Sequence, residues 1–244
     1  MTAEEHPETV EYNKTTEAVI ENELKKATVV VIKIDADENE IRLPGVKFNV
    51  IDKNGKILET ITTGKDGTAE TKKYPLRDFE SLTLQEIETL ETYELNDKPQ
   101  TITLKEGKNN ITFKNNPKKG NIKIIKKDEF DNSILIAGAK FDLYEDTDRD
   151  GKITDKDKFL ETIETSKDGT AVSKKYRIDR QYLGIESYVP ENYVLDKTVF
   201  SFNLEWNKTI EKVRFNKPKT IQIKIIKQDE EDKTPIKNVV FEIY

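Results

Sequence analysis

Cysteine is absent from this sequence of 244 residues, and histidine occurs once, as His6 in a polar N-terminal stretch. Together these absences exclude disulfides, zinc–thiolate sites, iron–sulfur clusters, thiol nucleophiles and any histidine-based triad. Apolar material is scarce as well, with 34% hydrophobic residues against 36% charged. That composition suits thin-cored β-sandwiches better than one large catalytic core. No run approaches the ~18 apolar residues of a spanning helix, so no membrane partner is expected. Met1 opens no secretory leader, and the polypeptide reads as either cytosolic or a piece of something longer. Acidic and basic residues interleave at a net charge of -6, whereas phosphate binding needs a clustered basic face, so no nucleic-acid partner is expected.

What is present is repetition. VVVIKID, NIKIIKKD and IQIKIIKQD recur at domain-length intervals and align Lys33, Lys126 and Lys227. Downstream, GVKFNV at Gly45–Val50 answers GAKFDL at Gly138–Leu143, and GKDGTAETKKYPL from Gly64 answers SKDGTAVSKKYRI from Ser166. FKNNPKKG at Phe113–Gly120 closes the first copy and FNKPKT at Phe215–Thr220 the second. EYNKTTEAVIEN at Glu11–Asn22 parallels EWNKTIEKVRFN at Glu205–Asn216. The expected organisation is a closing hairpin of a preceding repeat at 1–27, complete repeats at 28–119 and 120–219, and the opening strands of a truncated repeat at 220–244. Both ends are thus expected to lie inside a longer tandem array.

Within a repeat the apolar period is two. Ile122, Ile124 and Lys126 share one face and Lys123, Ile125 and Lys127 the other, the alternation of half-buried antiparallel strands. Turn signals such as Lys65-Asp66-Gly67 and Lys167-Asp168-Gly169 separate runs rich in Ile, Val, Thr, Phe and Tyr, with no helical stripe. The fold class expected is all-β: tandem immunoglobulin-like or prealbumin-like antiparallel sandwiches of about 90–100 residues each. Trp206 and the tyrosines, spread at strand spacing, read as core.

Period two also puts Lys33, Lys126 and Lys227 on faces that otherwise carry Val or Ile. Burying an ammonium costs several kcal/mol unless it is paired or neutralised. These residues resemble the collagen-adhesin B-type (Cna B-type, prealbumin-like or reverse-immunoglobulin) repeats of Gram-positive surface proteins and pilins. The likeness rests on K-x-D in the first strand, G-[AV]-K-F in the second, D-G-T-A before the third and Asn-x-Pro at the end. Its most specific stretch, YLGIESYVPENYVL at Tyr182–Leu195, is similar to the family's Y-x-x-x-E-x-x-x-P-x-x-Y pattern.

The resemblance implies an intramolecular isopeptide bond between a first-strand lysine and a last-strand asparagine, assisted by a buried glutamate. Carried over, it gives Lys126, Glu186 and Asn216 in the second unit, and Lys33, Glu86 and Asn115 in the first. Glu88 is the alternative to Glu86, and Leu90 stands where the family has proline. Lys227 and Asn22 would be orphan partners from incomplete repeats. Phe113 and Asn115 sit two apart on one face, but Phe215 directly precedes Asn216. With Phe215 facing inward, Asn216 points away from the core unless a bulge intervenes. The alternative to a bond is a salt-bridged Lys–Glu pair with asparagine as a hydrogen-bonding neighbour.

Where the first unit has the short hairpin IDKNGKIL, the second carries YEDTDRDGKITDKDKFL. Asp146, Asp148, Asp150, Gly151, Lys152, Thr154 and Asp157 fit the twelve-residue calcium loop D-x-D-x-D-G-x-I-x-x-x-[DE]. Carboxylates at positions 1, 3 and 5 supply hard oxygens, Lys152 its carbonyl, Thr154 the ninth position and Asp157 the last. The loop resembles that of dockerins. Calcium is the cofactor expected, as a clamp on a hairpin.

The function expected is a non-enzymatic stalk segment of an extracellular adhesin, anchored to a Gram-positive cell wall by sortase through its parent protein. Its partners would be neighbouring repeats of the same chain. The alternatives are a repeat module that binds a host extracellular protein, and a pilin subunit of a sortase-assembled pilus.

Overall fold

The computed structural model describes residues 12–15 and 23–242, so Asn22 lies outside the described residues. Chain contacts define two units, 1–118 and 119–244. In the first, β1 (Lys26–Asp35), β2 (Lys47–Ile51), β3 (Ile57–Thr62), β4 (Thr68–Glu70), β5 (Tyr74–Pro75), β6 (Ser81–Glu88), β7 (Gln100–Thr103) and β8 (Gly107–Asn115) follow in order. One sheet has β1 at its centre, antiparallel to β4 and β5 and parallel to β8; the other runs β3-β2-β6-β7. Between them lie Val29 and Val31 of β1, Phe48 and Val50 of β2, Leu82 and Leu84 of β6 and Phe113 of β8, all buried. Each contributes roughly 1.5–3 kcal/mol by leaving water.

The second unit repeats the plan with β9 (Lys119–Asp128), β10 (Lys140–Glu145), β11 (Lys158–Glu164), β12 (Thr170–Val172), β13 (Tyr176–Arg177), β14 (Tyr182–Tyr188), β15 (Phe200–Phe202) and β16 (Thr209–Asn216). β9 pairs with β12, β13 and, in parallel, β16; the second sheet is β11-β10-β14-β15. The sandwich is all-β, with no helix among the described residues. Its opening and closing strands run parallel, which places the end of one beside the end of the other. This side-by-side arrangement is what brings the lysine and the asparagine together.

The D-G-T-A turns hold the lysine strands by close backbone contact. Gly67 and Gly169 have φ of +68° and +66°, and a Cβ there would meet the Lys33 or Lys126 carbonyl oxygen at 2.9 Å. The lysine N–H groups in turn donate to the Gly67 and Gly169 carbonyls at 2.8 Å. Only glycine combines that φ with that proximity.

Three expectations are corrected. Trp206 is exposed, as are Tyr12 and Tyr188 among the tyrosines; Trp206 lies in the turn where Lys208 N donates to the Glu205 carbonyl and Asn207 takes φ 54°. Ile221–Gln228, expected as an opening strand, forms no ladder, and Lys227 is exposed. Among the described residues no closing strand lies beside it, and only the bridge Gln228↔Pro235 forms. Asn216 does not point outward: β16 alternates without a bulge, with Ile210, Lys212, Arg214 and Asn216 inward and Val213 and Phe215 exposed.

Candidate functional site

Each unit buries a lysine, a glutamate and a last-strand asparagine close to one another between its two sheets. Lys33 lies on β1, Glu86 on β6 and Asn115 at the end of β8, all within 1% exposure. Lys126 on β9, Glu186 on β14 and Asn216 on β16 are likewise buried. Glu88 stays exposed and pairs with Lys47 at 2.7 Å, so Glu86 takes the inner position.

The glutamate stands between the other two groups. In the first unit Lys33 Nζ is 3.6 Å from Glu86 Oε2. The Asn115 Nδ2 group donates to Glu86 Oε1 and to Thr89 Oγ1. In the second, Lys126 Nζ is 3.1 Å from Glu186 Oε1. There Asn216 Nδ2 donates to Glu186 Oε2 at 2.7 Å and to the Val194 carbonyl at 2.8 Å. Lys33 Nζ, Lys126 Nζ and both asparagine Oδ1 atoms accept or donate no geometrically good hydrogen bond. Buried polar atoms left this way are rare in folded proteins.

Burial lowers the Lys33 proton affinity from the usual 10.5 to about 8, against the opposing pull of Glu86 and Asp35. Lys126 is lowered too, by burial first, with Glu186 opposing. A neutral amine is the nucleophilic form. The carboxylate faces the nitrogen of each asparagine amide and not its carbonyl oxygen. A half-turn about Cβ–Cγ exchanges the two, so an ionised glutamate accepts from Nδ2 and a protonated one donates to Oδ1. Both arrangements bridge amine and amide.

Sequence reasoning passed over the role of the K-x-D aspartates. Asp35 Oδ1 accepts from the Asp37 and Glu38 N–H groups, and Asp128 Oδ1 from those of Phe130 and Asp131. Tyr93 and Tyr193 bridge to Pro117 and Pro218 just past the asparagines, and Tyr93 also bonds Asp35. The recurring K-x-D…Y…N-x-P spacing was the available signal. Thr89 was likewise missed, and no motif marks it.

In the inserted hairpin between β10 and β11, carboxylate oxygens of Asp146, Asp148 and Asp157 lie within 4.8 Å of one another. Asp146 Oδ1 is buried without a partner, which fits a hard cation. Gly151 N donates to Asp146 Oδ2 at 3.2 Å, and the Thr154 N–H to Asp157 Oδ2 at 2.8 Å. Asp150 is not drawn into this cluster: its Oδ1 caps the turn by accepting from Lys152 N. Lys156 sits 3.2 Å from Asp148, an ion pair that a cation would replace.

A two-sheet prealbumin-like sandwich with a buried Lys–Glu–Asn set, made twice, defines the class. The chain belongs to the SpaA prealbumin-like fold domain family, whose sequence model matches residues 27–117 and 120–219. Among solved structures, the Bacillus anthracis TIE protein matches with a TM-score of 0.63 and 23% identity over 80% of this chain and 34% of that one. This chain therefore spans about a third of that protein. A streptococcal ancillary pilin matches at 20% identity and TM-score 0.37, over 80% of this chain and 63% of that one. GBS52, the minor pilin of Streptococcus agalactiae, matches at 16% identity and TM-score 0.36, over 83% of this chain and all of that one. No curated protein is detectably similar.

Proposed function

We propose that this chain is a non-enzymatic stalk segment of a cell-wall-anchored Gram-positive surface protein, crosslinked within each unit by Lys33–Asn115 and Lys126–Asn216 isopeptide bonds. The observation that carries this reading is the duplicated burial of an amine and a carboxamide, each within reach of one carboxyl group that stands between them. For a salt bridge alone the asparagine would be dispensable, yet both units spend a buried amide on the glutamate.

The neutral lysine amine attacks Asn Cγ, and a new Nζ–Cγ amide bond forms as the Cγ–Nδ2 bond breaks. The glutamate takes a proton from Nζ and returns one to Nδ2, which leaves as ammonia. At pH 7 a group titrating near 8 is about one-tenth neutral, enough for a reaction that runs once per molecule. Joined opening and closing strands keep the residues between them from extending under load, without any cysteine.

Calcium would be held in the second unit by Asp146, Asp148 and Asp157, with Asp150, the Lys152 carbonyl and Thr154 available to complete the shell. It would supply a fixed positive charge that ties the hairpin. Extracellular placement and partnership with neighbouring repeats follow from this role. Intact-mass spectrometry tests the reading: the chain should weigh less than its sequence by two molecules of ammonia. A full sequence mass would refute both bonds.

A further inference from the structure

The two candidate crosslinks are not chemically equal. In the parallel ladders Lys33 faces Phe113, whereas Lys126 faces Arg214. The first unit thus places an aromatic ring beside its lysine, and the second a cation. Three further positions change with it. Leu84 and its β7 partner Gln100 give way to Gly184 and its β15 partner Phe200. A Cβ at Gly184 would meet the Phe200 ring at 2.4 Å, so glycine makes the room that this ring fills. The Arg214 guanidinium stacks 4.8 Å from the Phe200 centroid and pairs with Asp196 at 2.7 Å.

Asp196 is the link to the reacting groups. Its N–H donates to Glu186 Oε2 at 2.8 Å, while the corresponding Asn96 N–H reaches Glu86 at only 3.4 Å. The Lys–Glu separation shortens in parallel, from 3.6 to 3.1 Å. The groups facing Lys126 are Glu186 from β14, Arg214 from β16, Asp196 from the loop after β14 and the Phe141 ring of β10 at 5.7 Å. β12 brings no charge.

We propose that Arg214, acting with Asp196, is a positioning residue of the second unit's crosslink, holding Glu186 in place and setting the pH at which the bond forms. This rests on the crosslink reading above. Arg214 favours loss of the Lys126 proton and Asp196 opposes it, so neutralising either should move the reaction's pH dependence in opposite directions. The chemistry stays balanced: a Lys126 Nζ–Asn216 Cγ bond forms, the Cγ–Nδ2 bond breaks, and ammonia carries away the nitrogen.

The test uses the full chain made by pulsed cell-free synthesis and sampled over time between pH 5.5 and 8.5. Linked Lys126–Asn216 peptide is quantified by mass spectrometry after digestion, with Lys33–Asn115 as the internal clock. Arg214→Gln should slow the second bond about tenfold relative to the first at low pH and raise its half-maximal pH by about one unit. Asp196→Asn should lower that pH, and Arg214→Lys should restore most of the native profile. An unchanged rate ratio and profile in Arg214→Gln overturns the proposal. So does equal slowing at every pH with no rescue by Arg214→Lys, the signature of a packing role. If Arg214→Gln fails to fold, the direction of the Asp196→Asn shift decides. Absence of any linked Lys126–Asn216 peptide in the unaltered chain refutes the crosslink reading itself, and this proposal with it.

Discussion

Tyr93 donates its hydroxyl proton to Asp35 Oδ2 across 2.7 Å of buried space, tying the loop beyond β6 to the far end of β1. Asp35 sits two residues past Lys33 and is the ladder partner of Asn115. The latch therefore closes over the place where lysine and asparagine meet. Tyr93→Phe removes this hydrogen bond while keeping the ring. Stability of the first unit should fall by about 1–3 kcal/mol, the usual penalty for a buried charge-assisted hydrogen bond. Denaturant titration in an Asn115→Ala background, where no bond masks the change, measures it.

Lys33→Ala should remove one ammonia from the mass deficit and leave the Lys126–Asn216 bond untouched. Its first unit should lose about 4 kcal/mol if the bond restricts the unfolded chain as a long disulfide loop does. Glu86→Gln keeps the shape of the side chain but cannot carry a proton as a carboxyl does. It should stop that bond forming while the sandwich still folds. A deficit of two ammonias in either variant would contradict the assignment.

An unlinked Lys33 should also make stability depend on pH. Its folded proton affinity, about 8, lies below the usual 10.5, so between those values the unfolded chain binds more protons. Stability of Asn115→Ala should rise through that window, and the destabilisation should be fully present below pH 8. The size is on the order of 3 kcal/mol. In the linked chain Lys33 is an amide and does not titrate, so urea midpoints of the two proteins should converge as pH rises. Parallel curves in a chain of proven linkage would contradict the burial argument.

Calcium should bind once per chain, in the second unit. At a hundredfold excess over its dissociation constant the stabilisation would be about 2.7 kcal/mol. Asp146→Ala with Asp157→Ala should abolish the calorimetric signal, because Asp146 carries the buried unpartnered oxygen and Asp157 joins it in the carboxylate cluster. An undiminished signal in that double variant would place the ion elsewhere.

Much of this protein could be read directly from its residues. Period two and glycine-marked turns were enough for an all-β sandwich, and repetition of the lysine strand separated two units. Lys126, Glu186 and the spacing of Asp146, Asp148 and Asp157 stood out because their chemistry is local to a strand or a loop. Choosing Glu86 over Glu88 also needed only alternation, since Glu86 shares its face with Leu82 and Leu84.

The tertiary structure alone decided which face the second unit's closing strand turns inward. Alternation divides β16 into Arg214 with Asn216 and Val213 with Phe215, and hydrophobicity by itself favours burying the second pair. The fold turns the first pair inward instead, because Gly184 admits Phe200 to fill the apolar space. Arg214 can then stack on that ring and reach Asp196, so its charge is not stranded. Those partners come from β14, β15 and the loop between them, and no pattern within β16 contains them. Parallel pairing of first and last strands was equally beyond period two, which describes faces and carries no information about strand direction.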